Sequence, residues 1–426
     1  MTWPAAPGDA AGGDLLSGIK VLDLCLALSG PYTSMMLAEL GADVIKVEHP
    51  AAGDESRAWP PFEAGMSGYF ATINRSKRSI AVDLKQPDGL AVALDLARDA
   101  DVVMQSFTPG VADRLGVGYE AVKALNPPVV YYSLSGYGQD GPWRNRRGYD
   151  PILQAVSGHM SVTGDKGGQP VKSAVPVADV SAAIHGCASI LGALLFKERT
   201  GQGQHIDLSM LDVMTSMLNV VATRFLATCE VPGRHGTENP GRVPSAAFEC
   251  ADGRYLQLVP NQRQWPDFCR LVGQPDWITD PRFATASARV DHADELYPTL
   301  RAALHTKDAA EWDRLLTEIN VACGPINDLR EVFDLEQVRH RGSVREYQGP
   351  SGERRKGLSL PFRFSQTPAR IKSGPPRLGE HTIAVLRGLG RSEGQINRLL
   401  ADGAVGADGA DGAPAEGPAS VARGVR

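Results

Sequence analysis

The chain has 426 residues, 42% of them apolar, and a formal net charge of -5 at pH 7. That length accommodates two domains with sizeable cores, and the charge balance lacks the cationic excess that a nucleic-acid partner requires, so no nucleic acid is expected. Six widely spaced cysteines without a C-x-x-C pair, and nine histidines without H-x-x-x-H or H-E-x-x-H spacing, argue against a disulfide framework and against a metal site.

No apolar run approaches the length that crosses a bilayer, and the opening MTWPAAPGDAAGGD lacks the basic start and apolar core of a signal peptide. The expectation is a cytoplasmic protein with no membrane partner. Residues 1–14, rich in Ala, Gly and Pro, are expected to be disordered. Residues 18–24 (GIKVLDL) read as a buried strand, 31–40 as a helix with Pro in its first turn and Gly41 just past its end, and 42–47 as a second strand. Such a β-α-β unit ending at Glu48 invites a dinucleotide reading. The connecting turn, Leu26-Ala27-Leu28-Ser29-Gly30-Pro31, carries one glycine where that fingerprint needs three, which disfavours NAD.

Three cations in four residues, Arg75, Lys77 and Arg78, precede an alternating strand over 80–84. A run of this kind is either a solvated face or an anion contact. A helix over 88–99, a strand over 102–105, the turn Ser106 to Gly110 and a strand over 128–135 follow, and the glycine-rich 136–142 reads as a loop.

Within 149–212, Asp179 closes an apolar run over 174–178 that reads as strand or extended segment, and precedes a small-residue helix over 182–196. One reading makes Asp179 an N-cap, accepting orphan backbone N–H groups. The other makes it a nucleophile, because an aspartate is ionised near neutral pH and needs no partner base to attack an activated acyl group. The spacing alone leaves both open.

A strand over 203–208 and a helix over 211–226 complete a large domain spanning 15–225. Two Gly/Pro clusters and a hairpin around Ala251-Asp252-Gly253-Arg254 open a smaller α+β domain over 226–330, which includes an amphipathic helix over 309–319. Residues 331–400 return to the large domain. From 401 to 426 the sequence is Ala, Gly and Asp rich, and a disordered tail is expected.

The segments GYDPILQAVSG, PVADVSAAIHG and ILGALLFKERTGQGQHIDLSMLD, with NRSKRSI before them and CGPIN and GEHT after, resemble the family III CoA-transferases of the CaiB/BaiF superfamily from Gly18 to about Leu400. The resemblance implies an α/β fold: a large doubly wound parallel sheet built by the N- and C-terminal segments, a smaller α+β domain, and a homodimer of interlocked chains. It implies no permanently bound cofactor, a coenzyme A thioester as substrate, and a carboxylic acid as its partner in the reaction. Asp179 would be the nucleophile, passing through an aspartyl anhydride and an aspartyl-CoA thioester. Leu26, Ala27, Leu28, Ser29, His49, Lys77, Arg78, Phe107, Arg114 and Leu115 would meet the CoA. Ser106 would join them at the CoA, standing where the family usually has Asn with a shorter hydroxyl that reaches less far. Tyr137, Gln139 and Tyr149 would line the substrate side. Succinyl-CoA with a dicarboxylate is the first expectation for donor and acceptor, ahead of formate/oxalate and carnitine-type acids. The segment 259–265 (VPNQRQW) fits the family's N-x-x-Q region without the mobile glycine-rich loop of formyl-CoA transferases. An α-methylacyl-CoA racemase is the rival reading, disfavoured because Tyr149 stands where that branch has His, and a catalytically silent CoA-binding protein is the other.

Overall fold

The computed structural model describes residues 13–408. Six parallel strands make the large sheet: β1 (Lys20–Leu24), β2 (Asp43–Glu48), β3 (Arg78–Val82), β4 (Val102–Gln105), β5 (Val130–Ser135) and β6 (Gln204–Ser209). A seventh, β7 (Val405–Gly406), pairs antiparallel with β3, and the order across the sheet is β7-β3-β2-β1-β4-β5-β6. Apolar side chains alternate between two helical layers. Val21 joins Met35, Met36, Ala182 and Ile190 in one core, while Leu22 and Leu24 join Val92, Leu96, Val385 and Ile396 in the other. The inner parallel strands are buried on both faces, as strands sandwiched between helical layers must be, whereas β6 at the edge is largely exposed over its first half.

The strand order reverses between β1 and β4, which places a topological switch point outside their carboxyl ends, the usual ligand crevice of an open parallel sheet. Two loops meet there, the one leaving β1 at Cys25 and the one leaving β4 at Ser106.

The helices that matter for the site are α1 (Ser29–Glu39), α2 (Gly68–Asn74), α3 (Pro87–Arg98), α4 (Asp150–Val156) and α5 (Val177–Thr200). The expected strand or extended segment over 174–178 is instead irregular chain running into α5, which starts five residues before the expected 182 and ends four after 196. That length corrects a second expectation, because α5 is long and apolar enough to match a membrane span by length and composition. Its Ala178, Ala182, Ala183, Gly186 and Ala193 are buried, it carries Asp179, Lys197 and Arg199, and it packs into the core beside α1. Short side chains score as apolar while serving close packing of helix on sheet. The helix expected over 211–226 is two, Met210–Met217 and Asn219–Thr228, broken where Asn219 takes φ 28°.

The chain divides into two compact units, one drawn from Met1–Ser157, Ser173–Asn219 and Arg341–Arg426, the other from Gly158–Lys172 and Val220–His340. The second holds a three-stranded antiparallel sheet around Phe248, Trp265, Trp277 and Trp312. Its share of 158–172 was not expected from the sequence. Nor was order beyond 401: Val405 and Gly406 cover the sheet edge at β3, next to α7 (Glu393–Ala401), which follows α6 (Thr382–Gly388). The rest of the expected tail, and nearly all of 1–14, lie outside the described residues.

Polar groups cross the centre of the large sheet. Lys46 on β2 is fully buried and pairs with Asp54 at 2.8 Å, while Lys77 pairs with Asp23 at 3.1 Å. Removing one partner of a buried pair strands the other charge. Lys46→Met is therefore expected to lower stability by about 3–5 kcal/mol, read as a fall in the urea midpoint.

Candidate active site

The loop after β1 is held by side chains from four directions. Asp23 Oδ1 accepts the Cys25 N–H at 2.9 Å, and the Lys46 ammonium donates to the Cys25 carbonyl at 2.7 Å. Ser106 Oγ accepts the Leu26 N–H at 2.9 Å, and Asp54 Oδ1 accepts that of Ala27 at 3.3 Å. Ala27 is thereby fixed at φ 68°, a left-handed conformation that a residue with a Cβ rarely adopts unforced. The loop delivers the buried Ser29 to the start of α1, where its hydroxyl donates to Asp179 Oδ1 at 2.5 Å.

Asp179 is the third residue of α5, and among the described residues its side chain caps no helix. Asp150, on α4, takes that task. Its Oδ1 accepts the Ala178 N–H at 2.8 Å, and its Oδ2 accepts from the Gln154 amide at 2.6 Å. Gln154 in turn accepts the Ser173 N–H at 2.8 Å, tying down the chain that leads into the helix. The N-cap reading of Asp179 is therefore overturned. Its carboxylate is half-buried, and burial raises its pKa to about 6 against the opposing Ser29 hydrogen bond, with Asp150 adding to the rise. Tyr69 on α2 lies in the same field. Burial, then Asp179 and Asp150, push its phenol up to about 12, so it stays a neutral donor.

Around the switch point a cavity of about 140 Å³ is lined by Leu26, His49, Phe107 and Leu115, with Leu84 and Lys85 closing it. Three residues after the lining Phe107, Gly110 has φ +80°, and a Cβ there would lie 3.3 Å from Arg114 Nη1 and 3.9 Å from Arg144 Nη2. A largely apolar slot with Lys85 in its wall, lined by Leu26 of the loop that delivers Ser29 to the half-buried carboxylate, suits a long thioester bearing phosphates.

A family model for CoA-transferase family III matches residues 16–382. The chain belongs to that family. A succinate–glutarate CoA-transferase of Agrobacterium fabrum is 40% identical over 383 residues, covering 87% of this chain and 94% of its own length. The succinyl-CoA:glutarate CoA-transferase of Mus musculus is 37% identical over 395 residues, 92% and 90% of the two chains. A solved CaiB/BaiF family protein from Brucella suis superposes with a TM-score of 0.80 at 36% identity, over 89% of this chain and 100% of that one. This family III CoA-transferase thus shares the mixed α/β architecture of its relatives, and coenzyme A thioesters are the family's substrates.

In this CoA-transferase four of the expected CoA residues, Leu26, His49, Phe107 and Leu115, line one cavity, and Arg114 immediately precedes Leu115 in the chain. Ser106 holds the loop through Leu26. Leu28 is buried and lines no part of that cavity. Lys77 and Arg78 require correction. The Lys77 ammonium is enclosed by Asp23, Asn74 and the Pro31 carbonyl, at 3.1, 2.8 and 2.8 Å, and burial pushes its pKa down to about 8 against the pull of Asp23. Arg78 grips both oxygens of Asp43, at 3.0 and 2.5 Å. The strand begins at Arg78, so both cations sit at its amino end, whereas ligands of a parallel sheet gather at the carboxyl end, where Lys85 stands.

On the other side, Tyr137 packs edge-on against Trp143 with ring centroids 5.5 Å apart, and Gln139 N–H donates to Asp207 at 3.0 Å. Gly136 and Gly148 bring this loop against the segment carrying Tyr149. A Cβ on Gly148 would meet the Gly136 Cα at 2.9 Å. Tyr149 immediately precedes Asp150 and is 59% exposed. Tyr69, Lys85 and Arg144 were missed in the sequence. Lys85 had a signal, its place just beyond a strand's carboxyl end, and the other two had none.

The raised Asp179 pKa carries a stability cost. The folded state holds the proton more tightly than the unfolded chain, so the cost is absent below the unfolded pKa near 4 and complete above about pH 6. Asp179→Asn should raise stability by about 1–2 kcal/mol at pH 8, and by less at pH 5, in melts of the two proteins at both pH values.

Proposed function

We propose that this enzyme transfers CoA from succinyl-CoA to a dicarboxylic acid through covalent intermediates on Asp179, as a cytoplasmic homodimer. One observation carries the reading: Asp150 takes over the capping of α5, which leaves the Asp179 carboxylate half-buried, held among the described residues by a single hydroxyl, and free to react. The names of the Agrobacterium and mouse relatives support a dicarboxylate acceptor.

The donor's nucleotide lies in the slot at Leu26, Leu84, Phe107 and Leu115, with Lys85, Arg114 and Arg144 offsetting phosphate charge. Its pantetheine arm runs along the Leu26–Ser29 loop to Asp179. The carboxylate attacks the thioester carbonyl, and C–S cleavage gives an aspartyl mixed anhydride and CoA thiolate. The thiolate then attacks the aspartyl carbonyl, releasing the donor acid and leaving an aspartyl-CoA thioester. The acceptor carboxylate repeats the two steps in reverse. A carboxylate nucleophile conserves the thioester's free energy through the exchange, which an ordinary ester on serine would lose. Tyr69, Tyr137, Gln139 and Tyr149 face the acids. Tyr149, in place of the histidine expected of a racemase, favours transfer.

For the homodimer, α5 supports the reading. Ile184, Leu195 and Phe196 are 53%, 47% and 41% exposed, an apolar surface that a second chain would cover. Six free thiols suit a reducing compartment.

Incubation with succinyl-CoA should give a hydroxylamine-sensitive adduct on Asp179 by mass spectrometry, absent from Asp179→Ala, and kcat/KM should fall as pH drops below about 6, where the nucleophile is protonated. Adduct formation in Asp179→Ala would sink the mechanism. Lys85→Ala and Arg144→Ala should each raise the KM for acyl-CoA by roughly 3- to 30-fold with kcat little changed, measured in steady-state assays over varied donor concentration.

A further inference from the structure

Resting on the reading of Asp179 as the nucleophile, we propose that Ser29 acts on the reaction itself: its hydroxyl fixes which carboxylate oxygen attacks, and then stabilises the oxyanion that forms on the other. The sequence resemblance put Ser29 only beside the CoA.

The geometry is specific. Ser29 is buried, and its hydroxyl points at Asp179 Oδ1. One turn later on the same two helices, Thr33 Oγ1 donates to the Ala183 carbonyl at 3.2 Å and to the Ser29 carbonyl at 2.9 Å. Ser29 and Thr33 on α1 therefore meet Asp179 and Ala183 on α5 in matched steps, and the first turns of the two helices are bolted together. Gly186 extends the contact, since a Cβ there would lie 3.0 Å from Thr33 Oγ1 and 2.5 Å from the Tyr132 hydroxyl. The Ser29 hydroxyl is delivered by this fixed pair, with Asp23, Lys46, Ser106 and Asp54 holding the loop behind it.

With Oδ1 tied to Ser29, Oδ2 is the attacking atom. Its lone pair forms the bond to the thioester carbonyl carbon, and the C–S bond breaks to release CoA thiolate. When the thiolate adds to the aspartyl Cγ, the carbonyl electrons move onto Oδ1, already facing a donor. Collapse of that adduct breaks Cγ–Oδ2 and frees the donor carboxylate. The acceptor's half-reaction passes through the same oxyanion in reverse. Ser29 keeps its proton throughout, so the step needs no base.

The test compares Ser29→Ala, Ser29→Thr and Asp179→Ala in the full-length enzyme with succinyl-CoA and glutarate as probe substrates. Ser29→Ala should lower kcat by about 10- to 100-fold, leave the KM for succinyl-CoA within about twofold, and shift the acid limb of the pH profile upward, because a bond favouring the ionised carboxylate is gone. Ser29→Thr should recover most of the rate and the pH profile. Should Ser29→Ala fail to fold, Ser29→Cys, with a weak donor of similar size, is read against Ser29→Thr in the same way. Wild-type turnover and pH profile in Ser29→Ala, with the adduct still lost in Asp179→Ala, would overturn the role of Ser29 and leave the nucleophile standing. A fall in kcat that moves no pH limb and is not rescued by threonine would overturn it too. Normal turnover in Asp179→Ala would remove both.

Discussion

The buried ammonium of Lys46 is the constraint on which the site depends. Burial alone would strip its proton, yet Asp54, Asp23 and Glu48 together hold its pKa above the usual lysine value. Desolvating such a cluster is costly, and no count of its ion pairs makes it a source of net stability. What the cluster supplies is position. Lys46 fixes the Cys25 carbonyl, Asp23 and Asp54 fix the N–H groups of Cys25 and Ala27, and the same two carboxylates neutralise the lysine. Each group is satisfied only if the loop takes this one path.

That explains how a strand order identical to the dinucleotide-binding fold does without its glycine fingerprint. In that fingerprint, glycines make the tight turn and allow the pyrophosphate to approach the backbone. Here side-chain hydrogen bonds force the turn, with Ala27 carrying the left-handed φ, and the cations proposed to meet phosphate stand outside it, at Lys85, Arg114 and Arg144. The backbone amides near the switch point are spent on Asp23, Ser106 and Asp54. The loop serves instead as a rigid arm that carries Ser29 to the carboxylate.

The parts of this architecture legible in the sequence were those written locally. The β-α-β unit, the buried strands over 18–24 and 102–105, and the hairpin in the smaller unit follow from periodicity and turn residues, and α1 began two residues before its expected start. Asp179 stood out by its place before a helix, and resemblance to the CoA-transferases gave it a chemical role that spacing could not. Contacts that close over long sequence distances stayed hidden. Nothing near Ala178 reveals that its cap is Asp150, 28 residues earlier. The family resemblance put Lys77 and Arg78 beside the CoA, and nothing local to that run of cations reveals that their carboxylate partners, Asp23 and Asp43, come from other strands. The two residues of β7 looked like low-complexity tail, since an edge strand that short has no period to detect.

The environment of Asp179 balances opposing demands. A nucleophilic carboxylate has to be ionised, which favours solvent, hydrogen bonds and a helix N-terminus. The anhydride it would form has to be shielded from water, which favours burial. Burial outweighs the Ser29 hydroxyl, and the result, a pKa of about 6, leaves the group ionised at neutral pH but weakly solvated. A second backbone or side-chain donor would lower the pKa further and lower the reactivity of the oxygens with it. Assigning the capping of α5 to Asp150 avoids that, because the helix's orphan N–H at Ala178 is satisfied by a carboxylate that takes no part in the attack. Two acids side by side, one spent on structure and one kept for chemistry, are what let a single hydroxyl govern the second.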